Sequence, residues 1–468
     1  MKISKIELKG YNQFNDVEIS LRYPKGHPEA GKPLKKICII GPSGTGKTSI
    51  LRIIKWLISE DRYIRKNMEL FLPPKSDISV LANIFNSTYK IYPDKQGFIK
   101  TEHIGVPEWM PAEKTGGTDQ QTTYRDHLKK ISPFLINYPA ELSCEKEDYS
   151  GTPKKSLEGM GLKDHQEQSA PEIIDFSFQD MKSVWDFILK SIKEHRANEL
   201  LHKKQIAETA AQDNAKLEEI ENKTREYKKW LSLNPDPLKI LADQCLDPIL
   251  YNLGLKVKTG MDLDTILNLG FLELQSLCGQ TVPRSFWSTG TTQLVLTAIP
   301  LYQLKPKDAI ILVDEPERSL FPDIQKNIID TYVQLAPGCQ FFFATHSPII
   351  ASAFEPWEIV ELKFDEEHKY VYRNLHYDGE DHVDNYKYFP EYLRWDSILK
   401  RIFDLDEEGG DKRLDALEEL VEVRAQIKKL KENKKLKSGE GRELTKRCLE
   451  LARKLDWQFD DGGYEKNR

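Results

Sequence analysis

The run Gly41-Pro42-Ser43-Gly44-Thr45-Gly46-Lys47-Thr48 fits the pattern G-x-x-x-x-G-K-[ST] at every position. Residues of these types at this spacing can hold a phosphate chain. Glycines let the backbone wrap so that successive N–H groups face the phosphates, and the start of a following helix adds positive partial charge. Lys47 then reaches the β- and γ-phosphates, Thr48 offers a hydroxyl to Mg²⁺, and Ser49 continues the phosphate-binding turn into the helix. A second set lies far down the chain, where Ala309-Ile310-Ile311-Leu312-Val313 runs into Asp314-Glu315-Pro316-Glu317. An apolar run that ends in acids reads as a buried strand delivering carboxylates at its end. Asp314 suits the Mg²⁺ shell, and Glu315 suits a general base that polarises an attacking water. An acidic pair after a strand is also commonly a solvated turn, so the pair gains its meaning from the phosphate loop.

Two further stretches could complete such a site. Ser288-Thr289-Gly290-Thr291-Thr292-Gln293 has the composition of a helix start, where a hydroxyl and a glycine N–H can face an anion or simply cap the helix. Gln340-Phe341-Phe342-Phe343-Ala344-Thr345-His346 places a histidine at the end of an apolar run, as a phosphate sensor or as a structural residue.

The elements that must position these groups are legible in outline. Ile37 to Ile40 is a continuous apolar run, as in a strand buried on both faces, and Ser49 to Leu57 has apolar residues at helical spacing: Ile50, Leu51, Ile53, Ile54 and Leu57. Strands are also expected at Ile3 to Leu8, Val17 to Leu21, Phe134 to Tyr138, Glu358 to Leu362 and Lys369 to Tyr372. Residues from about Glu60 to Lys130 read as insertions in a peripheral lobe, with Gly116-Gly117-Thr118 as a marker, and Cys144 to Pro171 reads as a flexible loop. From Asp180 to about Leu233 the pattern is helical without Gly or Pro, but Val184, Ile188, Ile192, Ile206, Leu217 and Ile220 give only a broken heptad. A hairpin or one packed helix is expected there, not a long coiled coil. Pro248 is expected to break or kink the helix that follows. Leu414 to Lys431 and Arg442 to Leu455 read as charged helices, joined by a linker that includes Lys437 to Gly441.

The totals exclude several classes. The chain has 468 residues with a formal net charge of −6, so it lacks a globally basic footprint for nucleic acid. No apolar stretch approaches the roughly 20 residues of a membrane helix, and the first residues lack the apolar run of a signal peptide. The chain reads as soluble and cytoplasmic, with no membrane partner. Its six cysteines form no CxxC pair, which points to buried free thiols rather than zinc or disulfides.

In their order, these motifs resemble the head of an ABC-type ATPase. Ser288 to Gln293 is similar to the ABC signature L-S-x-G-x-x-Q, with Trp287 in place of the usual Leu. Ser319-Leu320-Phe321-Pro322-Asp323 resembles the dimer-contacting loop, and His346 resembles the switch histidine of such heads. The resemblance implies an α/β fold, an ABC-type P-loop NTPase head with a helical insertion and a C-terminal helical region. It implies ATP and Mg²⁺ as cofactors, with Gln293 among the nucleotide-binding residues, and two heads that sandwich two ATP molecules, with Ser288 and Gly290 of one chain completing the site of the other. The domains expected are 1–175 and 255–375 for the two parts of the head, 176–254 for the helical insertion, and 376–468 for oligomer or partner contacts. One element departs from the pattern. Where such heads carry a Gln, or related stand-alone ATPases an Arg, Ile136 to Leu142 has neither, and Gln179 is a distant substitute. Slow hydrolysis is expected, with ATP occupancy mattering more than turnover.

The chain as a whole resembles stand-alone SMC-like ATPases of the overcoming-lysogenization-defect and RecN-like groups, and among them the PtuA-like ATPases of Septu and retron antiphage defence systems. Tyr23 to Pro28, the short helical insertion, and Leu393-Arg394-Trp395-Asp396-Ser397-Ile398-Leu399 with Ile402 and Phe403 carry that resemblance. It implies a homo-oligomer of ATPase heads that controls a partner nuclease of the HNH type. Helix packing explains the tail residues equally well. Two other readings stay open: a DNA-repair ATPase that contacts nucleic acid directly, for which Lys428 to Lys431 and Lys434 to Lys437 would be the basic face, and an ATP-binding scaffold that sequesters a toxic effector, as in PARIS-like systems.

Overall fold

The computed structural model describes residues 1–59, 77–94, 98–107, 124–131, 133–142, 172–177, 185, 188–212, 216–260, 272–405, 410–433, 438–455, 458–459 and 465–466. Gly116 to Thr118, all of Cys144 to Pro171, Gln179 and Val184 lie outside them. The chain divides into two compact units, Met1–Leu393 and Arg394–Arg468.

The first unit is built on one twelve-stranded sheet. Its antiparallel part holds β1 (Lys2–Tyr11), β2 (Phe14–Ser20), β4 (Asp77–Ile84), β5 (Ser87–Pro93) and β6 (Ile99–Gly105). The parallel part runs, in spatial order, β14 (Ile359–Phe364), β3 (Lys36–Ile40), β13 (Gln340–Ala344), β12 (Ile310–Asp314), β7 (Leu135–Tyr138) and β8 (Ile173–Asp175). Each of these strands pairs in parallel with its neighbour. Their near-continuous apolar residues follow from burial on both faces; β13, for example, is buried throughout. β15 (Val371–Asn374) joins the two parts, antiparallel to β14 and parallel to β2. The peripheral lobe thus begins as an extension of the sheet through β4, β5 and β6. A separate small sheet is formed by β9 (Leu255–Val257), β10 (Leu274–Ser276) and β11 (Thr281–Val282).

Helix α1 (Lys47–Ser59) fills the space between the two parts of the large sheet. It touches β7, β12 and β13 of the parallel part and β4 and β5 of the antiparallel part. All five residues expected on its apolar face are buried, and so are Trp56 and Ile58. Each such aliphatic side chain is worth about 1.5–3 kcal/mol when fully withdrawn from water. The helix that opens at the phosphate loop is therefore anchored by the main hydrophobic core.

The helical insertion is a hairpin of α2 (Lys190–Ala210) and α3 (Leu217–Leu233). His195 lies against Trp230, and Tyr227 Oη donates to Glu199, so the helices run antiparallel. The broken heptad has a physical counterpart. α3 has no buried residue, and Leu217 is mostly exposed. Polar contacts hold the root instead, with Arg196 bonded to Glu199 at 2.8 Å and to Asp236 at 2.6 Å. Pro248 does not break the next helical stretch. A wider turn at Ala242–Leu246 precedes it, and Pro248 falls in the first turn of Asp247–Leu250, where a missing N–H costs little.

In the second unit, Trp395–Arg401 is a short helix in which Ile398 is buried. Two charged helices, Asp411–Glu432 and Gly439–Lys454, pack through Leu420, Val423, Cys448, Leu451 and Leu455. Gly439 and Gly441 are not linker residues. Ser438 caps the second of these helices by accepting from the N–H of Gly441 at 3.2 Å, which lets both glycines sit in its first turn. Four cysteines, Cys38, Cys245, Cys339 and Cys448, are buried free thiols, Cys278 is exposed at a turn, and Cys144 is outside the described residues. Among the described residues no helix is long and apolar enough to cross a membrane.

One buried amide joins the large sheet's two parts. Gln340 Oε1 accepts the N–H of Ile3 at 2.6 Å, while its Nε2 donates to the carbonyls of Ile3 and Leu34 at 2.9 and 2.8 Å. Gln340→Leu leaves three buried backbone groups without partners, each worth roughly 1–3 kcal/mol. The expected outcome in urea unfolding is a loss of about 3 kcal/mol or more, against under about 1 kcal/mol for a change such as Gln205→Leu at an exposed position.

Candidate nucleotide-binding site

The parallel strands bring separate motifs to one edge of the sheet. β3 runs directly into the phosphate loop, β12 ends in Asp314, and β13 leads into Thr345 and His346. β13 lies between β3 and β12, so His346 rises between the loop and the acids.

Within the loop Gly41, Gly44 and Gly46 all have positive φ, at 145°, 87° and 89°. Two are also pinned by space: a Cβ on Gly41 would collide with the Leu362 carbonyl of β14, and one on Gly46 would stand 2.5 Å from the Phe14 ring. The turn between β1 and β2 supports the loop further, because Gln13 Nε2 donates to the Gly44 carbonyl at 2.8 Å. Thr45 Oγ1 closes the turn onto the Pro42 carbonyl at 2.8 Å. Lys47 Nζ donates to the carbonyls of Gly41 and Pro42 at 2.8 and 3.0 Å. Burial lowers the Lys47 ammonium to about 8, against the pull of Asp314, Glu315 and Glu317.

Thr48 Oγ1 donates to both Asp314 oxygens, at 2.9 and 3.2 Å. Burial holds the Asp314 carboxyl above its usual range despite that bond. A hydroxyl and a carboxylate in contact fit Mg²⁺, which keeps several waters and takes one or two protein oxygens beside substrate phosphates. Among the described residues no cluster of three or more His, Cys, Asp or Glu could hold an ion by protein ligands alone. The donor set therefore suits an ion that arrives with the nucleotide, held by Thr48 and Asp314.

Glu315 has a positive φ of 49° and its N–H bonds to the Ala344 carbonyl at 2.8 Å, which turns the chain sharply at the end of β12. Gln293 supports this turn from within the head. Its buried amide donates to the carbonyls of Glu315 and Pro316 at 3.3 and 3.2 Å. The side chain is thereby placed behind the acids and not on the surface. Gly290, also buried, is packed so closely on the Ser319 carbonyl that a Cβ there would collide with it. Ser288 is exposed and caps α4 (Thr289–Leu304), accepting from the Thr291 N–H at 3.0 Å. Phe286 before it and Phe321 in the loop after the acids are 77% and 68% exposed.

His346 is exposed enough to meet a ligand, and burial together with the Lys47 charge keeps it below its usual pKa, hence neutral near pH 7. Its backbone N–H bonds to Glu317 Oε1 at 2.8 Å. Ser347 Oγ donates to Gln325 at 2.7 Å and accepts from Ile349 N–H, fixing the far side of the turn. Among the described residues, β7 and the turn after it offer no free polar side chain to the site. Asn137 is occupied by Asp175 and Ser177, and Glu141 by Arg318 at 2.8 Å. Glu317, Gln13 and Phe14 have roles here that the sequence motifs do not assign. The third acid spaced after Asp314-Glu315 is a usable signal for the first, whereas nothing local marks the other two.

The loop's two kinds of constraint are separable. Gly44→Ala meets nothing closer than 3.6 Å and costs only backbone strain, about 1–2 kcal/mol. Gly46→Ala adds the clash with Phe14. Titration with a fluorescent ATP analogue is expected to show a much larger loss of affinity for Gly46→Ala than for Gly44→Ala, and equal losses would contradict the steric account.

Comparison with solved structures finds SMC heads at low identity. An SmcHead bound to the C-winged helix domain of ScpA is 12% identical with a TM-score of 0.41, covering 80% of this chain and 98% of that one. The SMC head domain from Thermotoga maritima is 12% identical with a TM-score of 0.38, covering 80% and 99%. An Smc head with an extended coiled coil, bound to the C-terminal domain of ScpA derived from Pyrococcus furiosus, is 13% identical with a TM-score of 0.39, covering 80% and 96%. No curated protein matches the chain. Residues 1–351, which hold every motif of the site from the phosphate loop to His346, match the AAA ATPase domain family, and the chain belongs to that family.

Proposed function

We propose that this chain binds and hydrolyses ATP with Mg²⁺ at sites shared between two heads, and that in an antiphage defence system this cycle controls a separate nuclease of the HNH type. The observation that carries the ATPase reading is the meeting of Lys47, Thr48, Asp314 and His346 at one sheet edge. Mg²⁺ would neutralise phosphate charge as the chain's residues act. Lys47 would leave the loop carbonyls for the β- and γ-phosphates. Glu315 would take a proton from the attacking water as the water oxygen bonds to the γ-phosphorus and ADP leaves with the bridging oxygen's electrons.

Sharing between heads is supported by the disposition of the signature helix. Ser288 and Thr289, at the start of α4, lie on the surface, and Phe286 and Phe321 are exposed too. A second head would bring that helix start to the γ-phosphate and cover both rings. Removal of the γ-phosphate would take away the attraction and let the heads part. The defence role and the nuclease partner rest on the resemblance of Tyr23 to Pro28 and Leu393 to Phe403, and on a helical insertion that is a hairpin and not a long arm.

Lys47→Ala is expected to abolish ATP binding, and Glu315→Gln to trap an ATP-bound dimer that light scattering after size exclusion detects. A monomeric Glu315→Gln protein with and without ATP would sink the shared site. Phe321→Asp places a charge in the covered patch, and a weakening of ATP-dependent association by tenfold or more is expected, with ATP binding to the single head retained. For the partner, a tagged protein pulled down from its host should bring a stoichiometric small nuclease. Chromosomal DNA retained through a salt wash, with no protein partner, would favour the repair-type reading.

A further inference from the structure

Orienting a water for attack on phosphorus takes an acceptor for each hydrogen, and Glu315 supplies one of them. Among the described residues of β7 and the turn after it, Asn137 and Glu141 are bonded elsewhere. Glu317 is different. One carboxylate oxygen, Oε1, accepts the N–H of His346 at 2.8 Å. The other, Oε2, is buried and meets no donor at hydrogen-bond distance among the described residues. Burial raises this carboxyl above its usual range, although the His346 N–H and, more loosely, the Thr345 hydroxyl favour its charged form. Its surroundings locate it at the phosphate end of the site. Its charge is felt by Lys47 on α1 and by the Cys38 thiol within β3, and His346 follows β13. A buried carboxylate oxygen with nothing to accept from is costly, and such an atom persists where a ligand brings the donor.

We propose that Glu317 is a positioning residue for the attacking water: held through Oε1 by the backbone of His346, it accepts one water hydrogen at Oε2 while Glu315 takes the other as a proton. This rests on the ATPase reading and adds to it the means of orienting water. It also ties that water to the histidine, because a shift of His346 on contact with the γ-phosphate moves Glu317 with it.

Glu317→Gln is the discriminating change. The amide oxygen can still accept from His346, but the amide nitrogen can only donate, so the second acceptor is lost with little change of shape. The expected result in steady-state ATP hydrolysis is a fall in kcat of about tenfold or more with KM and ATP affinity within about twofold, the signature of an interaction made only in the transition state. Glu317→Asp, which keeps an acceptor on a shorter stem, should recover part of the loss. A wild-type kcat for Glu317→Gln, or a loss of affinity as large as the loss of kcat, overturns the proposal. The underlying reading fails separately: a wild-type chain that binds no ATP removes it whatever Glu317→Gln does, and a wild-type chain that binds ATP without turnover leaves binding intact but overturns the role of Glu317.

Discussion

Everything at this site depends on the parallel pairing of β3, β13 and β12. Hydrogen bonds between these strands set the phosphate loop, the histidine turn and the acids at one level, although more than half of the chain separates the loop from the acids. A register slip of one residue on β12 or β13 would turn Asp314 or the lead-in to His346 to the other face of the sheet. The apolar residues of these strands are therefore as much a part of the site as its polar groups. α1 extends the same constraint, since the helix that opens at the phosphate loop packs against both parts of the sheet.

Where chemistry is written in consecutive residues, it is legible in the sequence by itself. The phosphate loop, the acids after an apolar run, and the histidine after another each predict the element that carries them, and the structure brings all three to one sheet edge. What is not legible there depends on contacts between distant segments. Phe14 under Gly46, Gln340 across Ile3 and Leu34, and Glu317 on the backbone of His346 have no local pattern. Gln293 shows the opposite limit. Its place in a motif suggests the nucleotide face, yet its amide serves the carbonyls of the acidic turn. The glycines near 440 mislead for a simpler reason: composition marks a linker, but one capping serine makes the same residues a helix start.

The helical insertion shows why a heptad must be sustained to matter. With α3 burying nothing and Leu217 in solvent, the hairpin is held at its root by Arg196, Glu199 and Asp236. Burial alone would raise the Glu199 carboxyl, but Lys203, Arg196 and Tyr227 together pull it down to about 2. The attachment therefore persists through any mildly acidic change of medium.

The contact between Gly290 and Ser319 carries a consequence for how steeply such a protein responds. It locks the signature helix to the loop behind the acids within a single chain, with no room even for a methyl group between them. In a sandwich of two heads, that helix faces one nucleotide and that loop belongs to the other. The two nucleotides would then be read by one rigid piece, and occupancy of one would bias the other. Response to ATP concentration would be sigmoidal, and a half-filled assembly would be a transient species instead of a resting one.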